Sequence, residues 1–238
     1  MKIAMLGYGK MGKAIEQLAV AQGHKYILKL TRQNMDQYAD ADLKEADVAI
    51  EFSQPAAAVR NIRRCIDLQI PVVSGTTGWM EQYDEIVDYC NQKKGGLFYA
   101  SNFSVGVYLF GLINTKLAEL MNRQAAYDVA LTEIHHTQKL DAPSGTAITL
   151  AQQILEKLDR KNTWENNENK NSDVLSIFSE RIDKVPGTHR IEWKSSEDTI
   201  RLEHIAHSRQ GFAKGALTAA EWMVGKQGVY GMKDLLGM

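Results

Sequence analysis

Lys2-Ile3-Ala4-Met5-Leu6-Gly7-Tyr8-Gly9-Lys10-Met11-Gly12 is a short apolar run that enters a glycine turn, and the apolar spacing that follows over 11–22 is helical. A strand, a Gly-x-Gly-x-x-Gly turn and a helix, in that order, are the context in which these glycines bind a dinucleotide. Gly7 permits the tight turn, Gly9 lets the backbone approach a pyrophosphate, and Gly12 lets helix and strand pack closely. The helix N-terminus then faces the anion, and Tyr8, Lys10 and Met11 complete the candidate cofactor turn. Alone, the same pattern also fits a tight turn that binds nothing. The rest of the chain has to decide between the two.

Outward from the turn, apolar β-rich runs at 26–30, 48–52, 71–74 and 97–100 alternate with helical patterns at 55–68 and 80–93. That alternation is the sequence form of an α/β fold, a Rossmann-type doubly wound parallel sheet over residues 1–104. Pro55 suits a first helical position. Gly75, Thr76 and Thr77 close the fourth run, at the carboxyl edge where cofactors sit in such sheets, although a plain loop would read the same. An acidic residue some 20 positions past the glycines would accept the ribose 2′-hydroxyl of NAD. The chain has Leu30-Thr31-Arg32 there. Arg32 suits the 2′-phosphate of NADP, so NADPH is the expected cofactor and NADH the alternative.

After residue 104 the character changes. A helical stretch runs to 121, an alternating run covers 127–135, and a second helical pattern covers 147–158. Residues 159–173 are nearly all polar and read as an exposed loop. Strand patterns at 174–182, 189–194 and 199–207 predict an α+β second domain, over 105–212, with antiparallel strands. The chain is helical again from 212 to 225.

The densest chemistry lies in 133–147, where the alternating run ends at His135 and His136 and Lys139 follows. Ser144, Gly145 and Thr146 then open a helix that Ser144 can cap. Cation, histidine and helix start together suit a dicarboxylate substrate that needs a proton. Each element also has a plain structural reading, as a packed histidine or a capped helix start. His204 and His207 suggest a metal site as the competing reading, but their odd spacing in a strand puts them on opposite faces, so no metal is expected.

Composition narrows the class. A 44% hydrophobic and 24% charged chain is of ordinary globular type, and a net charge of −1 disfavours a broad nucleic-acid surface. The sequence shows no apolar run of membrane-spanning length and no leader pattern at Met1, so no membrane association and a cytoplasmic location are expected. Cys65 and Cys90 lie in helical patterns and read as buried thiols.

The segments GYGKMG at 7–12, VVSGTTG at 72–78, ASNFSVGV at 100–107, EIHHTQKLDAPSGTA at 133–147, VPGTH at 185–189 and SRQGFAKGALTAA at 208–220 resemble, in this order, those of the dihydrodipicolinate (4-hydroxy-tetrahydrodipicolinate) reductases. The resemblance spans nearly the whole chain. It implies a dinucleotide-binding domain over 1–104 completed by 213–238, a substrate and oligomerisation domain over 105–212, a hinge between them and a homotetramer. It implies a small dicarboxylate substrate, reduced by NAD(P)H on the route to diaminopimelate and lysine. On matching positions it implies His135 as proton donor, Lys139 as its cationic partner, and His136, Gly145 and Thr146 as holders of the substrate carboxylates. Gly7 to Gly12 would take the pyrophosphate, and Gly75, Thr77 and the turn Ala100-Ser101-Asn102-Phe103 would lie by the nicotinamide. Another two-domain Rossmann dehydrogenase would share only the glycine turn. A non-catalytic dinucleotide sensor would need no His135 or Lys139.

Overall fold

The computed structural model describes residues 1–34, 38–208 and 210–238, so Arg209 of the 208–220 segment lies outside the described residues. The chain divides into two compact units, Met1–Val105 with Gln210–Met238, and Gly106–Arg209.

The first unit opens with β1 (Lys2–Leu6), α1 (Lys10–Ala21), β2 (Lys25–Leu30), α2 (Asp40–Lys44), β3 (Val48–Glu51), α3 (Pro55–Asp67) and β4 (Val72–Ser74). A 3-10 turn at Met80–Gln82, α4 (Tyr83–Lys93) and β5 (Gly96–Tyr99) follow. The intervening second unit holds most of α5 (Val105–Met121), then β6 (Asp128–His135), α6 (Gly145–Leu155), β7 (Thr163–Glu165), β8 (Val174–Arg181), β9 (Gly187–Lys194) and β10 (Thr199–Ala206). The chain ends with α7 (Gln210–Met223), β11 (Gly228–Tyr230) and α8 (Met232–Leu235) in the first unit.

In the first unit six parallel strands run in the order β11-β5-β4-β3-β1-β2. Ile3 to Leu6 and Val48 to Ile50 have no exposure, because helices cover the inner strands on both faces. The order reverses at β1, which has β2 on one side and β3 on the other. The loops leaving β1 and β3 therefore diverge and open a crevice at the carboxyl ends of the strands. The Rossmann-type α/β fold predicted from the alternation is the fold observed. Two elements escaped that prediction: the five-residue α2, and β11, whose three residues offer too short a run to show a period.

The second unit is a five-stranded mixed sheet in the order β10-β9-β6-β8-β7. The expected antiparallel arrangement is corrected in part. β9 pairs antiparallel with β6 and β10, but β8 runs parallel to both β6 and β7. The polar stretch 159–173 is not all loop either. Thr163–Glu165 forms β7 and edges the sheet, and Lys161, 4% exposed, donates to the Val174 carbonyl at 3.0 Å and pairs with Asp128 at 2.7 Å. Strand β6 alternates buried and half-buried residues. Val129, Leu131, Glu133 and His135 all point to the buried face, on which Leu131 packs with Ile154, Ile177, Ile191 and Trp193. The face that makes the core thus ends in two ionisable groups.

Candidate active site

The crevice between β1 and β3 holds a pocket of about 330 Å³ lined by Gly7, Tyr8, Gly9, Thr31, Arg32, Phe52 and Ser53, with Gln54, Ala57 and Arg60 of the next helix region. Its floor needs glycine. Gly7 has φ +105, and a Cβ there would lie 2.2 Å from the Phe52 carbonyl oxygen. A Cβ on Gly12 would lie 2.8 Å from the Gly7 carbonyl oxygen, whereas Gly9 faces open space. No side chain caps α1, and its first turn carries no acidic residue. An uncapped helix start beside a bare glycine backbone and two arginines fits a dinucleotide with its phosphates. Arg60, contributed by α3, was not foreseen from the sequence.

The second candidate loop folds against the same edge. A Cβ on Gly75 would meet the Phe52 ring at 2.3 Å and Phe103 at 2.9 Å, so these three residues fit only without a side chain at 75. Phe52 and Phe103 stack in a tilted pair with centroids 5.5 Å apart. Glu51, fully buried at the end of β3, fastens the loops together. It accepts from Ser74 Oγ at 2.8 Å and from the Ser53 N–H at 3.0 Å, and that same N–H also reaches Thr76 Oγ at 2.9 Å. Thr76 is buried, while Thr77 and Ser101 are exposed and Ala100, Asn102 and Phe103 sit in the turn after β5.

In the second unit, β6 delivers His135 and its strand neighbour Glu133 to one face, since residues two apart share a side of a strand. His135 Nδ1 lies 2.6 Å from Glu133 Oε2. The contact is close and polar but is not a straight hydrogen bond. On the other oxygen, Glu133 accepts from Arg181 of β8 at 2.9 Å and from the Ser144 N–H at 3.3 Å. Burial pushes the Glu133 carboxyl up, but bonds from His135, Ser179, Ser144 and Arg181 outweigh it and hold the group well below the usual carboxylate range. It is a permanent buried anion with a guanidinium as its counter-charge.

His189 of β9 stands edge-on to His135 with ring centroids 5.2 Å apart, and its Nε2 lies 3.2 Å from Ser144 Oγ. Burial, aided by the nearby His135 charge, lowers its pKa to about 3, so this ring is neutral at ordinary pH. Ser144 caps α6 by accepting from the Ala147 N–H at 3.2 Å. Its hydroxyl is only 3% exposed with its residue and is engaged by helix and histidine, while Gly145 is exposed and Thr146 half-buried at the helix start. His136 follows the strand and is half-buried, and Lys139 reaches Asp141 in the loop before α6. Lys139 is near enough for its charge to bear on His189.

Glu133, His135 and His189 are the group of donors among the described residues close enough for one ion, within 4.8 Å of one another. His204 and His207 are not part of it; His204 packs on Phe110, and His207 lies beyond the end of β10. Arg181 already supplies the cation that Glu133 needs, which disfavours a metal there. Sequence reading missed Glu133, Arg181 and His189 as members of the site. The period-two spacing of Glu133 and His135 was the available signal for the first. For His189 the signal was its place in the VPGTH segment of the resemblance, while Arg181 had none, because only strand pairing brings it in.

Family models described as dihydrodipicolinate reductase, N-terminus and C-terminus, match residues 1–103 and 106–236. The 4-hydroxy-tetrahydrodipicolinate reductase of Christiangramia forsetii is 48% identical over 99% of this chain and 98% of its own, and that of Staphylococcus carnosus is 35% identical over 95% of each. A dipicolinate-bound dihydrodipicolinate reductase from Paenisporosarcina sp. TG-14 has the same fold, with TM-score 0.74 and 24% identity over 98% of both chains. An amine dehydrogenase from Mycobacterium smegmatis shares the fold more loosely, with TM-score 0.58 and 7% identity over 96% of this chain and 94% of its own. Matched in both halves and along almost its full length, the chain belongs to the dihydrodipicolinate reductase family of oxidoreductases.

Proposed function

We propose that this chain reduces 4-hydroxy-tetrahydrodipicolinate to tetrahydrodipicolinate in lysine and diaminopimelate biosynthesis, using NADPH in preference to NADH, as a cytoplasmic homotetramer. The observation that carries the reading is His135, set at the polar end of β6 against a buried carboxylate with Lys139 and the start of α6 in the same loop region. A nicotinamide held by the glycine-turn unit would supply hydride to ring carbon C4 once the C4 hydroxyl has left as water. His135 gives its proton to the adjacent carbon, and Lys139, His136 and the α6 start at Gly145 and Thr146 hold the carboxylates. Ser144 contributes by fixing that helix start, since its hydroxyl is already engaged.

In this reading Met1–Val105 with Gln210–Met238 is the nucleotide unit and Gly106–Arg209 the substrate and oligomer unit. Gly7 to Gly12 take the pyrophosphate, Arg32 and Arg60 favour the 2′-phosphate, and Gly75, Thr76, Thr77 and Ala100 to Phe103 border the nicotinamide. The edge strand β10 with Ile200 and Ile205 exposed supports a self-association surface. No helix among the described residues is long and apolar enough to cross a membrane. A turnover assay on freshly made substrate with NADPH and NADH in parallel tests the activity. No oxidation of either cofactor would refute it, and a monomeric mass in light scattering at micromolar concentration would refute the tetramer.

A further inference from the structure

Glu133 has no exposure, and a buried carboxylate with no task is costly to keep. Core-facing positions of the same strand are apolar up to Leu131, so the change to Glu133 and His135 is abrupt. One carboxylate oxygen is taken by Arg181 and the Ser144 N–H, and the other faces His135 Nδ1 at 2.6 Å. An ionised carboxylate presents only lone pairs, and at 2.6 Å it would repel a second lone pair, so this contact favours the proton on Nδ1. In the neutral ring, Nε2 then carries the lone pair; in the charged ring, Nε2–H is the proton free to leave.

The other side of the ring is equally specific. A Cβ on Gly187 would lie 3.0 Å from His135 Nε2 and 3.3 Å from Cδ2, so glycine at the first position of β9 leaves room at that nitrogen. Around the ring stand Glu133 on its own strand, Arg181 on β8, neutral His189 on β9, and the loop with Lys139, Asp141 and Ser144. Among the described residues, Glu133 is the anion in direct contact with the ring.

We infer that Glu133 is the positioning residue of the acid, its carboxylate holding His135 with the proton on Nδ1 so that Nε2, beside Gly187, is the nitrogen that gives up its proton. This deepens the proposed function and rests on its reading of His135 as the acid. The step balances: water leaves first, as the C4–O bond and a C–H bond on the neighbouring carbon break to give a C=C bond conjugated with the ring imine; hydride from the nicotinamide cofactor then adds at C4, the Nε2–H bond breaks as a C–H bond re-forms on that neighbouring carbon, and the ring is left neutral with its Nδ1–H beside Glu133. Water restores the Nε2 proton.

The test uses the full chain with 15N-labelled histidine. Long-range 1H–15N spectra, with His135 assigned by its loss in His135→Gln, should show the neutral ring as the Nδ1–H form. Glu133→Gln should mix or reverse that form and lower kcat roughly 10- to 100-fold with KM little changed, because the acid is misoriented and not lost. Glu133→Asp keeps the charge but withdraws it by a methylene; it should fall between the two and serves if the amide variant does not fold. The double variant Glu133→Gln with His135→Gln should turn over at nearly the rate of His135→Gln alone, since one residue acts through the other. An Nε2–H tautomer in the unaltered protein, or losses that multiply in the double variant, overturns the inference. If His135→Gln is slow while Glu133→Gln and Glu133→Asp keep normal turnover, Glu133 alone is misassigned. If His135→Gln itself keeps normal turnover, the acid reading fails and the role of Glu133 with it.

Discussion

The ammonium of Lys139 lies 2.8 Å from both carboxylate oxygens of Asp141, two residues on, so the cation assigned to the substrate is already paired within its own loop. Burial acts to raise the Asp141 carboxyl, but Lys139 overrides it and the net shift is downward. In the proposed function, a substrate carboxylate competes with Asp141 for the same charge.

Lys139→Ala should weaken substrate binding and turnover together, by about 1.5 to 3 kcal/mol for the lost charged hydrogen bond. Asp141→Asn should instead lower the KM for substrate a few-fold, roughly, by releasing the cation. Steady-state constants for both variants check this. If Asp141→Asn raises KM as much as Lys139→Ala, Asp141 orients Lys139 and does not compete with the substrate.

His189 gives the fold a pH dependence whose sign is fixed. Its pKa falls from 6.5 in the unfolded chain to about 3 in the fold, mainly through burial. The unfolded state therefore binds more protons between those values, and stability present above pH 6.5 is lost as pH falls toward 3. The full effect is on the order of 3 to 5 kcal/mol, and Glu133 adds a loss in the same direction below the ordinary carboxylate range. Thermal melts from pH 7 to 4 should show a falling Tm, and His189→Gln should flatten the slope. Equal slopes in both proteins would mean that His189 is protonated inside the fold.

Arg32 and Arg60 line the pocket beside Gly7 and Tyr8, with no carboxylate among the described residues that line it. Arg32→Ala should raise the KM for NADPH more than that for NADH, and Arg60→Ala should act in the same direction. Equal effects on the two cofactors would remove these arginines from 2′-phosphate selection.

Glu51 bonds Ser74 Oγ and the Ser53 N–H from a fully buried position. Glu51→Ala strands these donors, and should destabilise the fold by about 2 to 4 kcal/mol. Because those donors lie on the loops that carry Thr76 and Phe52, the KM for nucleotide should rise while the KM for substrate changes less. Urea unfolding midpoints and the two KM values measure both effects. An unchanged midpoint would show that water replaces the carboxylate.

What was legible in advance follows from range. The tight turn at Gly7 and the close packing at Gly12 were read correctly because both are dictated by sterics within six residues, and α3 began at Pro55 because proline fixes its own φ. The expected helix start at Ser144 appears as a side-chain cap on Ala147, again a contact three residues long. The edge strands Gly228–Tyr230 and Thr163–Glu165 were missed, because each is three residues long, lacks the apolar run that marks the equally short inner strand Val72–Ser74, and depends on a neighbour already in place, β5 or β8.

The sequence by itself determined the alternation of strand and helix, the glycine turn, and the strand end and loop that carry His135 and Lys139, because each is settled by local sterics and by apolar period. Tertiary structure alone decided that β8 runs parallel to β6 and β9 antiparallel to it, which places Arg181 opposite His135 in register and His189 opposite Glu133. Those partners lie 48 and 45 residues from the atoms they serve, Arg181 on Glu133 and His189 on Ser144. No local preference can encode such a pairing, since strand register is set by which faces the whole sheet must bury.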